Sequence, residues 1–330
     1  MAKRKKIEKI GVVTSGGDVP GLNAVIHAIV VAAYKKDIKV IGINNGYDGM
    51  IDSIYTPLEL GAVRSIMDEG GTMLRTSRCM RFTEKKWRRK AYENLTRHEI
   101  DGLIIIGGNG SLTGASVFAS EFDMPVIGIP KTIDNDVYGT DFAIGFDTAI
   151  NTIVTSIDKI RDTADSTSRV FIVEVMGRKA GFLGLHGGIA GGAEVIIIPE
   201  IPTETEKMLS YLEHLWHNGN HAMILVITEN ALPGGGFGLK KMLDDRFPYF
   251  DSRLTILGHI QRGGNPTAFD RTLASLLGYN GFKALLKGKS GVMVGQINGK
   301  VLFTDLPMVA LKNHAIDPQV LEIATNLSFV

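Results

Sequence analysis

The stretch LIIIGGNGS, residues 103–111, indicates the fold class of this 330-residue chain. Four apolar residues are followed at once by Gly107 and Gly108, and Gly110 and Ser111 come directly afterwards. A short, continuously apolar run is typical of a parallel strand that is buried on both faces. Glycines directly after such a strand are typical of the turn that leads into a helix. The stretch therefore predicts a strand–loop–helix unit of an α/β sheet.

Similar runs recur along the chain, and segments typical of helices separate them. They lie at residues 10–14, 39–43, 126–129, 170–175, 194–198, 223–228 and 292–294. This alternation predicts mostly parallel sheets with helices on both faces. Because 330 residues exceed what one simple core usually holds, we expect two domains or lobes.

Composition excludes several classes of protein. The chain has 36 Lys and Arg against 35 Asp and Glu, a net charge of +1, whereas general nucleic-acid binders carry a strong basic excess. Its single cysteine, Cys79, cannot form an internal disulfide and fits a reducing, cytoplasmic location. The chain contains no stretch of ~20 apolar residues, so the sequence predicts no membrane helix. The start, MAKRKKIEK, lacks the apolar region of a signal peptide and predicts a solvated basic segment.

Polar and glycine residues follow five of the predicted strands. These residues are Ser15 to Asp18, Gly107 to Ser111, Pro130 to Asp136, Met176 to Arg178, and Glu229. Ligands of open α/β sheets bind beyond the carboxyl ends of the strands, so the sequence predicts one convergent site. Two glycine loops suggest a ligand with several phosphates, although tight turns are the alternative. A P-loop is absent, and the lack of a strict GxGxxG weakens a dinucleotide interpretation.

The run Thr132-Ile133-Asp134-Asn135-Asp136 carries two carboxylates two residues apart. In an extended segment both would point to the same side. One could accept a proton from a substrate hydroxyl while the other holds Mg²⁺ or orients the first, as phosphoryl transfer requires. An Asx-rich turn is the alternative. Arginines in or near loops and strand ends could bind phosphate: Arg78, Arg161, Arg169, Arg178, Arg253 and Arg262.

Histidines give a weaker indication of a site. His214, His217 and His221 have a metal-like spacing, but Gly219 interrupts the segment, so a shared helical face is not expected. His259 is of more interest because Arg262 and two glycines follow it.

Five motifs in this order resemble those of the bacterial-type 6-phosphofructokinases: TSGGDVPGLNA, GGNGS, PKTIDND, VEVMGR and GHIQRGG. The resemblance extends over nearly the whole chain. It implies phosphorylation of fructose 6-phosphate at the 1-hydroxyl, with ATP and Mg²⁺, in glycolysis. It also implies the phosphofructokinase fold, with two lobes that are each a mostly parallel sheet covered by helices. The donor lobe would comprise residues 1–145 and about 262–312, the sugar-phosphate lobe residues 146–261 and about 313–330, and the assembly would be a homotetramer with shared active sites.

The resemblance also implies roles for individual residues. Asp134 matches the general base, with Thr132 and Asp136 in support, and Arg178 and the Gly17 backbone match groups that stabilise the transferring phosphoryl. The sugar-phosphate pocket would comprise Thr132, Asp134, Met176, Gly177, Arg178, Glu229, His259 and Arg262, with Arg169 and Arg253 donated by a neighbouring subunit. The donor pocket would comprise Gly17, Tyr47, Arg78, Cys79, Gly108, Asn109, Gly110, Ser111 and Lys131. Asn109 and Asp136 would hold the metal.

Three positions leave the phosphoryl donor open between ATP and pyrophosphate. Asn109 stands where ATP-dependent members usually carry an aspartate, which predicts weaker Mg²⁺ binding. Lys131 resembles the pyrophosphate-dependent members, although some ATP users share it. Gly110 is the residue of ATP users and leaves room for a nucleotide. The pattern favours ATP, with the pyrophosphate enzyme and a non-catalytic regulatory paralogue as alternatives.

The effector site of allosteric members is only partly matched. Arg161 and Glu194 agree with it, whereas non-basic or weakly basic residues stand where cations are expected: His27, Val31, Leu60, Gly219 and Asn220. We expect little response to phosphoenolpyruvate or ADP as effectors.

Overall fold

The computed structural model describes residues 6–330, so the first five residues of the basic start lie outside the described part. Strands and helices alternate along the chain. The elements up to residue 130 are β1 (Lys9–Ser15), α1 (Leu22–Tyr34), β2 (Lys39–Ile43), α2 (Gly46–Asp52), β3 (Tyr55–Pro57), α3 (Lys85–Arg97), β4 (Gly102–Gly107), α4 (Asn109–Glu121) and β5 (Val126–Pro130). The later elements are α5 (Phe146–Thr167), β6 (Val170–Val175), α6 (Phe182–Ala190), β7 (Val195–Ile197), α7 (Thr205–His217), β8 (Met223–Thr228), α8 (Gly235–Arg246), β9 (Ser252–Ile256), α9 (Ala268–Leu286), β10 (Val292–Ile297), β11 (Lys300–Asp305), α10 (Leu306–Leu311) and α11 (Pro318–Leu327).

The described residues divide into two compact units. The first contains the chain up to Thr132 together with Asp136–Asp147 and Arg262–His314. The second contains Ile133–Asn135, Thr148–Gln261 and Ala315–Val330. No helix within residues 6–330 is both long and apolar enough to cross a membrane.

The first unit is built on a seven-stranded sheet with the order β11-β10-β5-β4-β1-β2-β3. The five central strands are parallel, and the edge strands β3 and β11 are antiparallel to their neighbours. All six residues of β4 are buried, because both faces of the strand pack against other elements. The pairing places the ends of β1, β4 and β5 side by side, with Ser15 opposite Gly107 and Gly107 opposite Pro130.

The second unit is built on a four-stranded parallel sheet with the order β7-β8-β6-β9. Strands β6 and β8 run in register, and Val175 is opposite Thr228 at their carboxyl ends. Phe329 also pairs with this sheet, because it forms an isolated β-bridge with Val195 of the edge strand β7. The predicted α/β class with mostly parallel sheets is confirmed.

Strands that the sequence did not reveal lie at sheet edges. Each of the eight predicted runs overlaps a strand, and three of them have the predicted bounds: β2, β6 and β8. The run 194–198 is one residue too long at each end, since β7 covers Val195–Ile197. The missed strands are β3, β9 and β11. An edge strand is covered incompletely, so its sequence mixes polar and apolar residues and lacks the continuous apolar run of a central strand.

Candidate active site

Glycines shape the loop that follows β1. Gly16 has a φ of 91°, a left-handed conformation that favours glycine. A Cβ on Gly17 would lie 2.8 Å from Nη1 of Arg262, so the guanidinium lies directly against this glycine. The same Nη1 donates a hydrogen bond to the Asp18 carbonyl at 3.2 Å. Arg262, which the resemblance assigns to the sugar-phosphate pocket, therefore lies against the first glycine loop.

Lys131 connects three neighbouring strand ends. Its backbone amide donates to the Gly107 carbonyl at 3.1 Å, and its ammonium donates to the carbonyl of Gly17. A Cβ on Gly16 would lie 3.4 Å from the same Nζ. The side chain is only 3% exposed. A buried positive charge therefore lies directly beside the first glycine loop, where it would attract phosphate.

The second glycine loop is joined to the first by hydroxyl groups. Gly108 is the N-cap of α4, and Ser111 lies in the first turn of that helix. The Ser111 hydroxyl donates to the Ser15 hydroxyl at 3.0 Å. The Tyr47 hydroxyl donates to the Ser111 carbonyl. Backbone N–H groups at the start of a helix favour anions, so the two loops together form a candidate phosphate site.

Asn109 and Asp136, the two predicted metal ligands, lie side by side. Nδ2 of Asn109 donates to the Asp136 carbonyl at 3.2 Å. The Oδ1 atom of Asn109 is buried and accepts no hydrogen bond. An orphaned buried carbonyl oxygen suits a hard cation such as Mg²⁺. Within residues 6–330 there is no cluster of three or more His, Cys, Asp or Glu side chains that could hold a metal ion by itself.

A buried pair of stacked aromatic rings packs beside the second glycine loop. The Tyr47 ring is stacked on Phe82, with centroids 3.8 Å apart and planes inclined by 4°. Gly114 faces this pair, since a Cβ there would lie 3.0 Å from Tyr47. Burial raises the pKa of the Tyr47 hydroxyl, which therefore stays protonated and keeps its hydrogen bond. Phe82 was not predicted, because no spacing or motif in the sequence connects it with Tyr47.

A carboxylate holds the segment that carries Cys79. Asp48 accepts hydrogen bonds from the Ser77 hydroxyl at 2.8 Å, the Cys79 thiol at 3.0 Å and Nε of Arg81 at 3.0 Å. Burial, followed by the hydrogen bond to Asp48, raises the pKa of Cys79 to about 11. The thiol is therefore neutral near pH 7 and serves packing, not nucleophilic chemistry. The neighbouring Arg78 is exposed.

The run 132–136 is a bend and not an extended segment. Asn135 has a φ of 52°, in the left-handed region, so the condition under which both carboxylates would point to the same side is not met. Asp134 is only 7% exposed and belongs with the second unit, whereas Thr132 and Asp136 belong with the first. The Asp134 carboxyl is therefore held in a largely water-excluded position.

In the second unit, the ends of β6 and β8 bring several predicted residues together. The Met176 amide donates to Oε1 of Gln261 at 3.2 Å, and the Arg178 amide donates to Oε1 of Glu229 at 3.0 Å. Gly177 has a φ of 137°, and a Cβ there would overlap the Ala180 carbonyl. The side chains of Arg178 and His259 are exposed. Gln261 was not predicted; it is fully buried and holds the Met176 backbone.

Arg169 and Arg253 lie at the opposite end of the same sheet. Arg169 directly precedes β6, and Arg253 is opposite Phe171 near the start of that strand. Both side chains contact Asp251, at 2.5 Å from Nε of Arg169 and 2.8 Å from Nη2 of Arg253. The structure therefore separates these two arginines from Met176, Gly177 and Glu229 by the length of a strand.

Arg161 and the remaining histidines that the sequence singled out lie in other parts of the fold. Arg161 donates to the carbonyls of Gly191 and Gly192 at 2.9 and 2.6 Å and lies 3.5 Å from Glu194. His27 contacts the Val63 carbonyl at 2.8 Å. The histidines 214 and 217 lie in the last turn of α7, and the ring of His221 packs against Trp216.

Comparisons with known proteins identify the family. The model of the family described as phosphofructokinase matches residues 9–285. The ATP-dependent 6-phosphofructokinase 1 of Thermus thermophilus is 47% identical, over 98% of this chain and 100% of that protein. The ATP-dependent 6-phosphofructokinase 2 of Bacteroides thetaiotaomicron is 44% identical, over 98% of this chain and 99% of that protein.

A solved structure of phosphofructokinase from Saccharomyces cerevisiae superposes with a TM-score of 0.89 at 31% identity. The match covers 97% of this chain, which spans 50% of the length of the yeast chain. Because the family model matches residues 9–285 and relatives of 44–47% identity extend over 98% of this chain, the chain belongs to the phosphofructokinase family.

Proposed function

We propose that this chain transfers the terminal phosphoryl group of ATP to the 1-hydroxyl of fructose 6-phosphate and forms fructose 1,6-bisphosphate in glycolysis. One observation carries the proposal: curated relatives named ATP-dependent 6-phosphofructokinase are 44–47% identical over 98% of this chain. The two phosphate-binding loops and the buried Lys131 ammonium support it, because phosphoryl transfer depends on positioning and on positive charge around the transferred group.

In this reaction Asp134 accepts the proton of the 1-hydroxyl as the oxygen attacks phosphorus. A largely buried carboxylate is suited to this role, because exclusion of water strengthens its interaction with the hydroxyl. Thr132 and Asp136 flank the base and position it. The guanidinium of Arg178 and the backbone N–H of Gly17 stabilise the charge on the transferring phosphoryl group.

The phosphoryl-donor site binds a nucleotide. Next to Gly110 there is open space, since a Cβ built there would have no atom within 4 Å apart from its chain neighbours and the backbone of its own helix. The stacked pair Tyr47 and Phe82 is buried, each residue being 4% exposed, and it supports the second glycine loop through the Tyr47 hydroxyl, which donates to the Ser111 carbonyl. Arg78 and Cys79 belong to the same pocket. When Mg²⁺ is bound, it neutralises charge on the donor phosphates; Oδ1 of Asn109 and the Asp136 carboxylate would hold it.

Fructose 6-phosphate is held by Met176, Gly177, Glu229, His259 and Arg262 of one subunit and by Arg169 and Arg253 of its neighbour. The length of β6 supports this division. Seven residue steps separate Arg169 from Met176, a span of about 20 Å in a strand, which is longer than a hexose phosphate. The same subunit therefore does not reach one sugar phosphate from both ends of β6, and a homotetramer in the cytoplasm, with active sites completed across subunits, is the assembly we propose.

The test is a comparison of phosphoryl donors with the purified chain. Formation of fructose 1,6-bisphosphate is measured with ATP or with pyrophosphate, each with and without Mg²⁺. We expect turnover with ATP that requires Mg²⁺ and little or none with pyrophosphate. Turnover with pyrophosphate alone would reverse the donor assignment, and absence of turnover with both donors would favour a non-catalytic paralogue.

A further inference from the structure

A single carboxylate, Asp251, holds the two arginines that lie at the amino end of the second unit's sheet. Its Oδ2 accepts from Nε of Arg169 at 2.5 Å, and its Oδ1 lies 2.8 Å from Nη2 of Arg253. Each carboxylate oxygen of Asp251 thus contacts one guanidinium group. The hydrogen bond from Arg169, reinforced by the charges of Arg169, Arg253 and Lys240, lowers the pKa of Asp251 despite some burial, so the group is ionised at neutral pH.

The backbone under this cluster is rigid. The Val170 amide donates to the Asp251 carbonyl at 3.3 Å, and the Met223 amide donates to the Arg169 carbonyl at 3.3 Å. The parallel register of β6 and β9 sets Phe171 opposite Arg253. The nearby Lys240 is engaged elsewhere, with Asp244 at 2.7 Å. The position of Asp251 between the two arginines is therefore determined by strand pairing.

Stability does not account for the cluster. The side chains of Arg169, Asp251 and Arg253 are 34%, 44% and 52% exposed. Ion pairs with this much exposure contribute little to folding, because water and salt screen them. Two guanidinium groups at one surface point also repel each other, so without an anion between them they would separate.

The contacts leave most of both guanidinium groups available. Asp251 engages only Nε of Arg169, so both terminal nitrogens of that arginine keep their N–H groups. Arg253 pairs with Asp251 through Nη2, at 2.8 Å. A guanidinium that is held at one edge presents its other edge in a fixed orientation, which is the geometry for bidentate binding of phosphate.

We propose that Asp251 is a positioning residue for sugar-phosphate binding: it holds Arg169 and Arg253 side by side so that their remaining N–H groups form one phosphate-binding surface. This inference rests on the proposed function, in which the two arginines bind the 6-phosphate. It predicts that replacing Asp251 weakens phosphate binding, which is the opposite of what the loss of a negative charge alone would do. Removal of a negative charge beside a phosphate site should favour phosphate, whereas loss of the orientation should weaken binding.

The experiment measures steady-state kinetics of Asp251→Ala with fructose 6-phosphate varied at saturating ATP. We expect KM for fructose 6-phosphate to rise about tenfold, the size of one charge-assisted hydrogen bond, with kcat and KM for ATP nearly unchanged. Asp251→Asn keeps one carbonyl oxygen that can accept from one arginine, so it should recover part of the loss. Glu204→Ala is the matched control, because it removes a carboxylate of the same unit that pairs with an exposed lysine, Lys207.

Two further variants separate this inference from the proposed function. Arg169→Ala and Arg253→Ala should each raise KM for fructose 6-phosphate, and adding Asp251→Ala to the double arginine variant should have no additional effect. If both arginine variants keep the wild-type KM, the assignment of the arginines to the 6-phosphate is wrong. If they raise KM while Asp251→Ala and Asp251→Asn leave it unchanged or lower it, the arginines bind phosphate and only the positioning role of Asp251 is refuted.

Discussion

Replacing Lys131 by methionine tests how the donor site is built. The change keeps the length of the side chain and removes its charge. In the structure the ammonium is buried, donates to the Gly17 carbonyl and lies beside Gly16. The substitution therefore removes a positive charge from the first glycine loop and leaves the Gly17 carbonyl without this donor.

The expected magnitude follows from these contacts. A hydrogen bond to a charged group contributes about 1.5–3 kcal/mol, and each 1.4 kcal/mol corresponds to about tenfold in an equilibrium constant. We expect kcat/KM for ATP to fall about 10- to 100-fold, because the loop that we propose binds the donor phosphates loses both its support and its charge. KM for fructose 6-phosphate should change much less, since Lys131 belongs with the first unit and donates hydrogen bonds to Gly17 and Gly107 of the two glycine loops.

The assay varies ATP at saturating fructose 6-phosphate and Mg²⁺ and records fructose 1,6-bisphosphate formation. Lys36→Met is the control, because Lys36 is exposed and lies in a turn of the same unit. A kcat/KM for ATP within about twofold of wild type would refute the reasoning, since a buried ammonium in contact with the phosphate loop could not then contribute to donor binding. An equal loss in the Lys36 variant would point to a general effect of lysine replacement.

Four other perturbations probe separate parts of the molecule. Asp134→Ser should lower kcat by about 10²–10⁴-fold with little change in KM for fructose 6-phosphate, as steady-state kinetics would show; an unaffected kcat removes Asp134 as the base. Asn109→Asp should lower the Mg²⁺ concentration for half-maximal rate about tenfold, since a carboxylate binds the ion more strongly than an amide; a magnesium titration checks this. With a pKa of about 11, native Cys79 should react with iodoacetamide at pH 8 about a hundredfold more slowly than the unfolded chain, and its rate should rise as pH increases toward 11. Arg88→Met should destabilise the fold by about 3–5 kcal/mol in urea unfolding, because it leaves the largely buried Glu121 carboxylate without its partner at 2.7 Å.

Much of the fold was predictable because the central strands carry a strong signal. β4 and β8 are buried along their whole length, and a strand buried on both faces must be apolar at every position. β11, with the sequence KVLFTD, is an edge strand whose residues are mostly half-buried or exposed. Its apolar and polar residues mix, so nothing in the sequence distinguishes it from a loop.

The site was predictable wherever its residues follow strand ends. That rule brings together Gly17, Lys131 and Ser111, which the structure connects through the ends of β1, β5 and β4. Reading the residues after strand ends does not identify Phe82 or Asp48, because these two residues lie in segments that only tertiary packing brings close to the second loop. It also does not give the bend at Asn135, since a left-handed residue in a polar run has no distinct sequence pattern.

Asn109 and Lys131, two of the three positions at which the sequence pattern leaves the phosphoryl donor open, act in the same electrostatic direction. Relative to the aspartate that the resemblance implies at position 109, asparagine removes one negative charge, and the Lys131 ammonium supplies a positive charge beside the first glycine loop. The Lys131 ammonium is buried beside the first loop, where its field is screened less than at the surface. In the proposed donor site, the weaker Mg²⁺ binding that we expect at Asn109 is thus accompanied by a permanent cation, the Lys131 ammonium, beside the donor phosphates, and the mixed pattern is consistent with ATP as the donor.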